Sequence, residues 1–230
     1  DIVNQLWSMG TLAMFRRVLT AAAVASIFAG PASALTDFSF AGSFVDDDDV
    51  QFFGFTVGAL SSVTFVTFSY AGGTQADGTV APAGGFDPIL AVFDSSGAFI
   101  GSNDDGSCSE VGTDPSTLDC YDTFLQLSLA AGDYEVAVSQ FDNFALGDKS
   151  DGFTYDSDPN SSNFTTTFGC SNLRFCDVNA DNRTANWNFD ILNVDSAVQR
   201  PPNGEIPLPA AAPLLVAGLA GLGWAARRRR

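Results

Sequence analysis

The chain has 230 residues, with 27 Asp and Glu against 10 Lys and Arg, no His, and a formal net charge of −17. A surface this acidic repels phosphates, so we exclude nucleic acid as a partner. The absence of His excludes Ser-His-Asp and Cys-His catalytic arrangements. The chain also holds 21 Phe and is 46% hydrophobic, which indicates a packed core rather than disorder.

The first segment has the features of an export signal. Arg16 and Arg17 precede an apolar stretch from 18 to 29, and the small-residue sequence Ala32-Ser33-Ala34 follows it. This order is typical of a secretory signal peptide and its cleavage site. We therefore expect residues 1–34 to be a leader, and the mature chain to begin near Leu35.

Residues 35–200 show short runs in which apolar and polar residues alternate, the pattern of β-strands. Three trios would each share one face of a strand: Phe53, Phe55 and Val57; Leu125, Leu127 and Leu129; Tyr134, Val136 and Val138. The predicted strands are Asp37–Phe44, Val50–Val57, Ser62–Tyr70, Ile89–Phe93, Ala98–Gly101, Thr123–Leu129, Tyr134–Phe141 and Trp187–Leu192. Strands this short predict an all-β fold, a jelly-roll-like antiparallel β-sandwich in one domain.

Turn residues separate the predicted strands. The sequence Ala130-Ala131-Gly132-Asp133 predicts a hairpin that pairs the strands on either side of it. Two segments, 72–85 and 147–162, are rich in Gly, Pro and small polar residues and are predicted to be long surface loops.

Four cysteines lie in the exported part of the chain: Cys108, Cys120, Cys170 and Cys176. An oxidising compartment favours disulfides over free thiols. Four cysteines allow three connectivities, among which the two short loops, Cys108 to Cys120 and Cys170 to Cys176, are preferred. Zinc is the alternative, but the chain has no His and no Cys-x-x-Cys pair.

Acidic and amide side chains cluster around two of the predicted strands. The residues are Asp87, Asp94, Asn103, Asp104 and Asp105. Calcium takes six to eight oxygen ligands in irregular geometry, so carboxylates from neighbouring loops suit it. We predict a calcium site here; the alternative is that these residues only form turns, with Asp94 opening one of them.

Two further acidic runs have simpler interpretations. Asp46 to Asp49 precede a Phe-rich strand, and a solvated run that discourages aggregation is favoured there over a ligand role. Asp177-Val178-Asn179-Ala180-Asp181 follows the first ligand positions of an EF-hand loop. It lacks the Gly and the final Glu, so an Asp-rich turn is favoured.

A succession of motifs runs through this domain: Asp49-Val50-Gln51-Phe52-Phe53, Gly85 to Asp94, Asn103-Asp104-Asp105-Gly106 and Leu129 to Tyr134. It resembles the bacterial pre-peptidase C-terminal domain, and more closely the FDP-motif family of surface proteins. The resemblance implies a β-sandwich that accompanies secreted enzymes or stands alone on cell surfaces, without catalytic residues. The loop between Cys108 and Cys120 departs from the pattern.

The last segment has the order of a sorting signal. A linker, 201–205, leads to Ile206-Pro207-Leu208-Pro209-Ala210, and the chain stays uncharged up to Arg227–Arg230. The uncharged run meets the roughly 20 residues that a helix needs to cross a bilayer, and the arginines would stay in the cytoplasm. The segment 206–230 resembles the VPLPA-type variant of the PEP-CTERM signal, which implies an exosortase-type membrane protease as partner. An ordinary membrane anchor is the alternative.

Together these features predict a secreted, non-catalytic protein of the bacterial envelope, cell surface or extracellular matrix, with exopolysaccharide as a further partner. Two other functions remain open. A carbohydrate-binding module would use Trp187, Tyr121 or Tyr155 as a stacking platform. A secreted hydrolase of unrecognised type would need a recessed acid, and Glu110 and Glu135 are the only Glu of the domain proper.

Overall fold

The computed structural model describes residues 35–156, 158, 160–171 and 174–201. The predicted leader, the sorting motif from Ile206 to Ala210 and the predicted membrane segment lie outside these residues. Within the described part of the chain, no helix is long and apolar enough to cross a membrane.

The described residues form strands joined by loops, with very little helix. The strands are β1 Thr36–Ser43, β2 Val50–Val57, β3 Ser61–Thr67, β4 Gly73–Thr74, β5 Val80–Ala81, β6 Pro88–Asp94, β7 Phe99–Asn103, β8 Phe124–Leu129, β9 Gly132–Gln140, β10 Asn186–Val194 and β11 Ser196–Gln199. A four-residue helix, α1, spans Cys108–Val111, and two 3-10 helices span Lys149–Asp151 and Phe164–Phe168. The predicted all-β fold is confirmed.

The strands pair into two main antiparallel sheets. One has the order β1-β10-β3-β8 and the other β11-β2-β9-β6-β7, while β4 and β5 form a separate small hairpin. With β4, β5 and the edge strand β11 set aside, consecutive strands alternate between the two sheets except at the β6–β7 hairpin, which lies within one sheet. This is the strand order of a jelly roll. This topology brings the start of β6 beside the end of β7, where the acidic residues lie.

The two sheets pack face to face through aromatic side chains. The rings of Phe53 and Phe189, one from each sheet, have centroids 5.0 Å apart, and Phe55 meets Phe65 at 5.3 Å. All three predicted trios contribute to this core cluster, as the alternation predicts. Each buried Phe contributes about 1.5–3 kcal/mol, so this Phe-rich interface supplies much of the stability of the domain.

The predicted hairpin at Ala130-Ala131-Gly132-Asp133 is wrong. Strand β8 pairs with β3 in one sheet, whereas β9 pairs with β2 and β6 in the other. The short connection therefore passes from one sheet to the other, and its residues are exposed. In both flanking strands every second residue is apolar and faces the core. This alternation is the same for two strands paired in one sheet and for two strands that face each other across the core.

Two segments predicted as surface loops contain more order than expected. The small hairpin β4–β5 lies within 72–85, and Phe153, in the 147–162 segment, is buried against the outer face of the second sheet. Strand β11 was not predicted, because it is only four residues long and mostly exposed.

Both preferred cysteine pairings are confirmed. One disulfide joins Cys108 to Cys120 and the other joins Cys170 to Cys176. Two disulfides fit an oxidising environment outside the cytoplasm.

Candidate metal centre

Three carboxylates meet where β6 begins and β7 ends. Asp87 directly precedes β6, and Asp104 and Asp105 directly follow β7. The two strands are antiparallel neighbours, with Leu90 opposite Asn103, so the segments that precede β6 and follow β7 are adjacent. One carboxylate oxygen from each Asp lies within 4.8 Å of the other two.

Asp87 is the most unusual member of this cluster. Only 3% of the residue is exposed, and its Oδ1 is buried without a hydrogen-bond partner. Its backbone carbonyl accepts a hydrogen bond from the amide of Phe141 (2.8 Å), which holds the segment in place. A buried carboxylate oxygen without a donor is costly when the group is ionised, and a proton or a bound cation relieves that cost.

The pKa values of the three carboxyl groups reflect this environment. Burial raises the pKa of Asp87 well above its usual range, and the charges of Asp104 and Asp105 raise it further. Burial, followed by repulsion from Asp105 and Asp142, raises the pKa of Asp104 to about 7. Burial also raises the pKa of Asp105, although this residue remains exposed at the outer side of the cluster. The site is therefore closed at Asp87 and open to solvent at Asp105.

Neighbouring polar groups hold the backbone of the cluster. The side-chain amide of Asn103 donates to the carbonyl oxygens of Asp105 (2.9 Å) and Phe124 (2.7 Å). The hydroxyl of Thr123 lies within hydrogen-bond distance of the carbonyl oxygens of Pro88 and Asp104 and shares its one proton between them, which bridges the two loops. Asn103, predicted as a ligand, therefore uses its amide NH₂ to brace the turn that presents Asp104 and Asp105.

Asp122 is a second buried carboxylate, but unlike Asp87 it is surrounded by hydrogen-bond donors of the protein. Its Oδ1 accepts hydrogen bonds from Ser69 N (2.6 Å), Tyr70 N (3.0 Å) and Thr67 Oγ1 (2.8 Å). Its Oδ2 accepts from Ala71 N at 2.7 Å. Asp122 is as deeply buried as Asp87 but fully supplied with donors, and no sequence motif indicated its role.

The prediction that Asp94 belongs to the metal site is wrong. Asp94 ends β6, whereas Asp87 precedes its start; at about 3.3 Å per residue, the strand separates the two by roughly 20 Å. Its Oδ1 accepts hydrogen bonds from Ser96 Oγ (2.6 Å), Ser96 N (2.8 Å) and Ala98 N (3.0 Å). Hydrogen bonds from Ser96 and Ala98 lower its pKa, as expected for a carboxylate that forms a turn.

A second acidic cluster gathers Asp46, Asp48 and Asp49 beside an open cavity of about 650 Å³. These carboxylates already have partners: Arg174 for Asp46 (2.6 Å), Ser161 Oγ for Asp48 (2.7 Å) and the amide of Val45 for Asp49 (2.8 Å).

The prediction of a solvated run is wrong for Asp47. This residue is 0% exposed and accepts hydrogen bonds from Thr165 N (2.9 Å), Thr165 Oγ1 (2.6 Å) and Phe164 N (3.1 Å). It ties the 164–168 helix to the loop before β2. The four consecutive acidic residues conceal this difference, because they look alike in the sequence.

The EF-hand-like segment forms the Asp-rich turn that was favoured. Asp177 Oδ1 accepts hydrogen bonds from the amides of Asn179 (2.9 Å) and Asp181 (3.0 Å). Its Oδ2 accepts the hydroxyl of Tyr70 at 2.7 Å. Both oxygens are thus committed to the protein.

The aromatic residues considered as a sugar platform are engaged elsewhere. Trp187 is only 2% exposed and lies in the core, so its assignment to a platform is wrong. Tyr155 stacks on Phe164 with ring centroids 3.9 Å apart, and Tyr121 packs edge-on against Tyr70 at 5.0 Å. Glu135, the acid of the hydrolase alternative, pairs with Lys149 (2.5 Å) and Arg200 (3.5 Å).

Comparison of the chain with protein-family models and with curated proteins found no match.

We predict that the metal-free protein loses stability as the pH rises from about 5 to 8. A carboxyl group whose pKa is raised on folding binds its proton more tightly in the folded state, so its contribution to stability is lost as the pH passes through the folded pKa. For Asp104 that value is about 7. Melting temperatures measured in EDTA across this range should fall, and Asp104→Asn should reduce the slope.

Asp94→Asn is the control for this prediction. The pKa of Asp94 is lowered, so its titration lies below the measured range. This variant should keep the wild-type slope. A slope that is identical in wild type and Asp104→Asn would contradict the prediction.

Proposed function

We propose that this chain is an exported, non-catalytic β-sandwich of the bacterial cell surface, stabilised by a calcium ion bound to Asp87, Asp104 and Asp105. The observation that carries the proposal is the carboxylate of Asp87, which is buried, has an oxygen without a partner, and lies beside two other carboxylates. A divalent cation would satisfy that oxygen and remove the repulsion among the three groups.

The donor set favours calcium over other metals. All three side chains supply carboxylate oxygens, which suit hard cations, and the described residues of the cluster include no His or thiolate. They come from two loops of irregular geometry, which calcium tolerates and magnesium does not. Calcium takes six to eight oxygens, and water at the open side beside Asp105 would supply further ligands.

Calcium should raise the melting temperature of the protein. Extracellular calcium modules bind with dissociation constants of ~10⁻⁴ to 10⁻³ M, so 10 mM ion corresponds to roughly 1.4–2.7 kcal/mol of added stability. For a chain of this size that is a rise of about 3 to 10 °C. Melting is measured in EDTA, in calcium and in magnesium at matched ionic strength, which removes general screening.

Two variants make the measurement specific. Asp104→Ala combined with Asp105→Ala should abolish the calcium-dependent rise. Asp94→Ala is the matched control, because it removes an acidic residue that forms a turn distant from the cluster. It should melt at a lower temperature in every buffer but keep the full rise. Equal wild-type melting in EDTA, calcium and magnesium would contradict the proposed site.

The two ends of the chain support the placement at the cell surface. The signal-peptide pattern before Leu35 directs export, and both disulfides fit an oxidising compartment. The resemblance of 206–230 to the VPLPA-type sorting signal implies recognition by an exosortase-type membrane protease. The protein is then released or re-anchored at the surface, where exopolysaccharide is the partner we propose.

Replacing Pro207 and Pro209 with Ala should block this maturation. The prolines impose an extended backbone before the membrane segment, and we propose that the protease reads this feature. The double variant should accumulate as an uncleaved form in the membrane fraction, detected by immunoblotting. Pro201→Ala with Pro202→Ala in the preceding linker is the control and should mature normally. Normal maturation of the Pro207 and Pro209 variant would identify the segment as an anchor only.

A further inference from the structure

We propose that the Cys108–Cys120 disulfide assembles the cation site, so that the chain acquires its affinity for calcium only after export to an oxidising compartment. This inference rests on the proposed calcium site. The disulfide closes the loop that begins after Asp105 and ends before Asp122. Both ends of that loop reach the metal cluster, and each does so through packing and hydrogen bonds.

The first half of the loop packs against Gly106, the residue that follows Asp105. Cys108 begins α1, and Val111 ends it as a buried side chain. A Cβ placed on Gly106 would lie only 2.5 Å from Val111 Cγ1 and 3.0 Å from Phe124 Cβ, so Val111 packs directly onto the Gly106 backbone. Position 106 accepts only Gly because the helix is held this close.

The helix α1 does not hold itself in that position. It has four residues, far fewer than the roughly 12–15 that an isolated helix needs. Its first turn is closed by Ser107 and Glu110, whose carboxylate accepts the Ser107 amide at 2.9 Å. What fixes the helix to the domain is the burial of Val111 together with the bond from Cys108 to Cys120, which itself packs against Val66.

The second half of the loop leads into the braces of the cluster. Two residues after Cys120, the backbone carbonyl of Asp122 accepts the Gly106 amide at 2.8 Å. The hydroxyl of the next residue, Thr123, shares its one proton between the carbonyls of Pro88 and Asp104. The disulfide therefore joins the two ends of the loop, and both ends contact the segment that holds Asp104 and Asp105.

The Cys108–Cys120 bond forms by thiol–disulfide exchange. The two thiols give two electrons and two protons to the disulfide of an oxidising partner protein, which is reduced to its dithiol. In the reducing cytoplasm the thiols persist, and the loop retains the conformational freedom of an open chain. The ligands of the site are then held less closely, which lowers the affinity for the ion.

Calorimetric titration of the metal-free exported domain with calcium chloride tests this inference. Three proteins are compared at a temperature where circular dichroism shows each to be folded: wild type, Cys108→Ser with Cys120→Ser, and Cys170→Ser with Cys176→Ser. The dissociation constant should rise on the order of tenfold or more in the first double variant, the usual effect of losing support around a metal site. It should stay within about twofold in the second, whose disulfide closes a separate loop.

Two further variants keep the disulfide intact, so the test stands even when the first double variant does not fold. Val111→Ala removes the side chain that packs on Gly106 and should weaken calcium binding on the order of tenfold. Leu118→Ala, in the same loop but 73% exposed, should bind like wild type. Wild-type affinity in the Cys108→Ser, Cys120→Ser variant overturns the inference. If that double variant does not fold, wild-type affinity in Val111→Ala overturns it instead. Absence of binding in wild type overturns the proposed calcium site itself.

Discussion

Replacing Asp122 with Ala is expected to lower the free energy of unfolding by roughly 3–5 kcal/mol. The carboxylate is fully buried and accepts hydrogen bonds from three consecutive amides, those of Ser69, Tyr70 and Ala71. Removing it leaves these donors buried without partners, which costs about 1–3 kcal/mol each. Urea denaturation followed by circular dichroism measures the change.

Asp133→Ala is the matched control for that variant. Asp133 also accepts a hydrogen bond, from Thr56 Oγ1 at 2.7 Å, but it is exposed and water replaces the lost partner. Its effect should stay below about 1 kcal/mol. Similar losses in the two variants would show that Asp122 is not the structural brace described here.

Replacing Trp187 with Ala should destabilise the domain by roughly 3–5 kcal/mol. The indole is 2% exposed and meets Phe53 edge-on at 5.6 Å and Phe44 at 6.3 Å. It also lies over Gly42, where an added Cβ would come within 2.3 Å of the ring, so the indole is closely packed there. The measurement is thermal melting combined with denaturant titration.

Tyr155→Ala serves as the comparison, because Tyr155 is partly exposed and packs on Phe164 rather than across the two sheets. It should cost less than Trp187→Ala. A Trp187→Ala protein that melts like wild type but loses binding to a glycan would place the indole on the surface and favour the carbohydrate-binding alternative.

Strand positions could be predicted because each main strand buries one face. Phe53, Phe55 and Val57 alternate with residues turned away from the core, and the structure places all three in the core cluster. Strand pairing could not be predicted in the same way. The alternation around Ala130 and Ala131 is equally consistent with a hairpin and with the observed crossing between sheets, and only the complete set of strands decides between them.

The candidate site was predicted in part. Asp87, Asp104 and Asp105 flank two neighbouring strands at the same end, which the sequence order indicates. Asp94 was included wrongly, because it belongs to the opposite end of the same strand. The residues that support the site, Asp122 and Thr123, carry no recognisable motif, since their role arises from contacts with Pro88, Asp104 and Gly106, which are not their neighbours in the sequence.

Burial also separated carboxylates that the sequence presents as equivalent. Asp46 to Asp49 are consecutive, yet only Asp47 is buried among hydrogen-bond donors. Asp87 and Asp122 are both buried, yet Asp122 accepts four hydrogen bonds whereas Oδ1 of Asp87 accepts none. These differences depend on which loops meet in three dimensions, and they distinguish a structural carboxylate from a candidate ligand.

The most direct test of the calcium site is a crystal structure of the domain, residues 35–200, grown with calcium. We expect a calcium ion, identified by its anomalous scattering, at about 2.3–2.6 Å from carboxylate oxygens of Asp87, Asp104 and Asp105, and no ion at Asp94. A structure in which Asp87 instead shares a proton with Asp104, with only water between the carboxylates, would contradict the account.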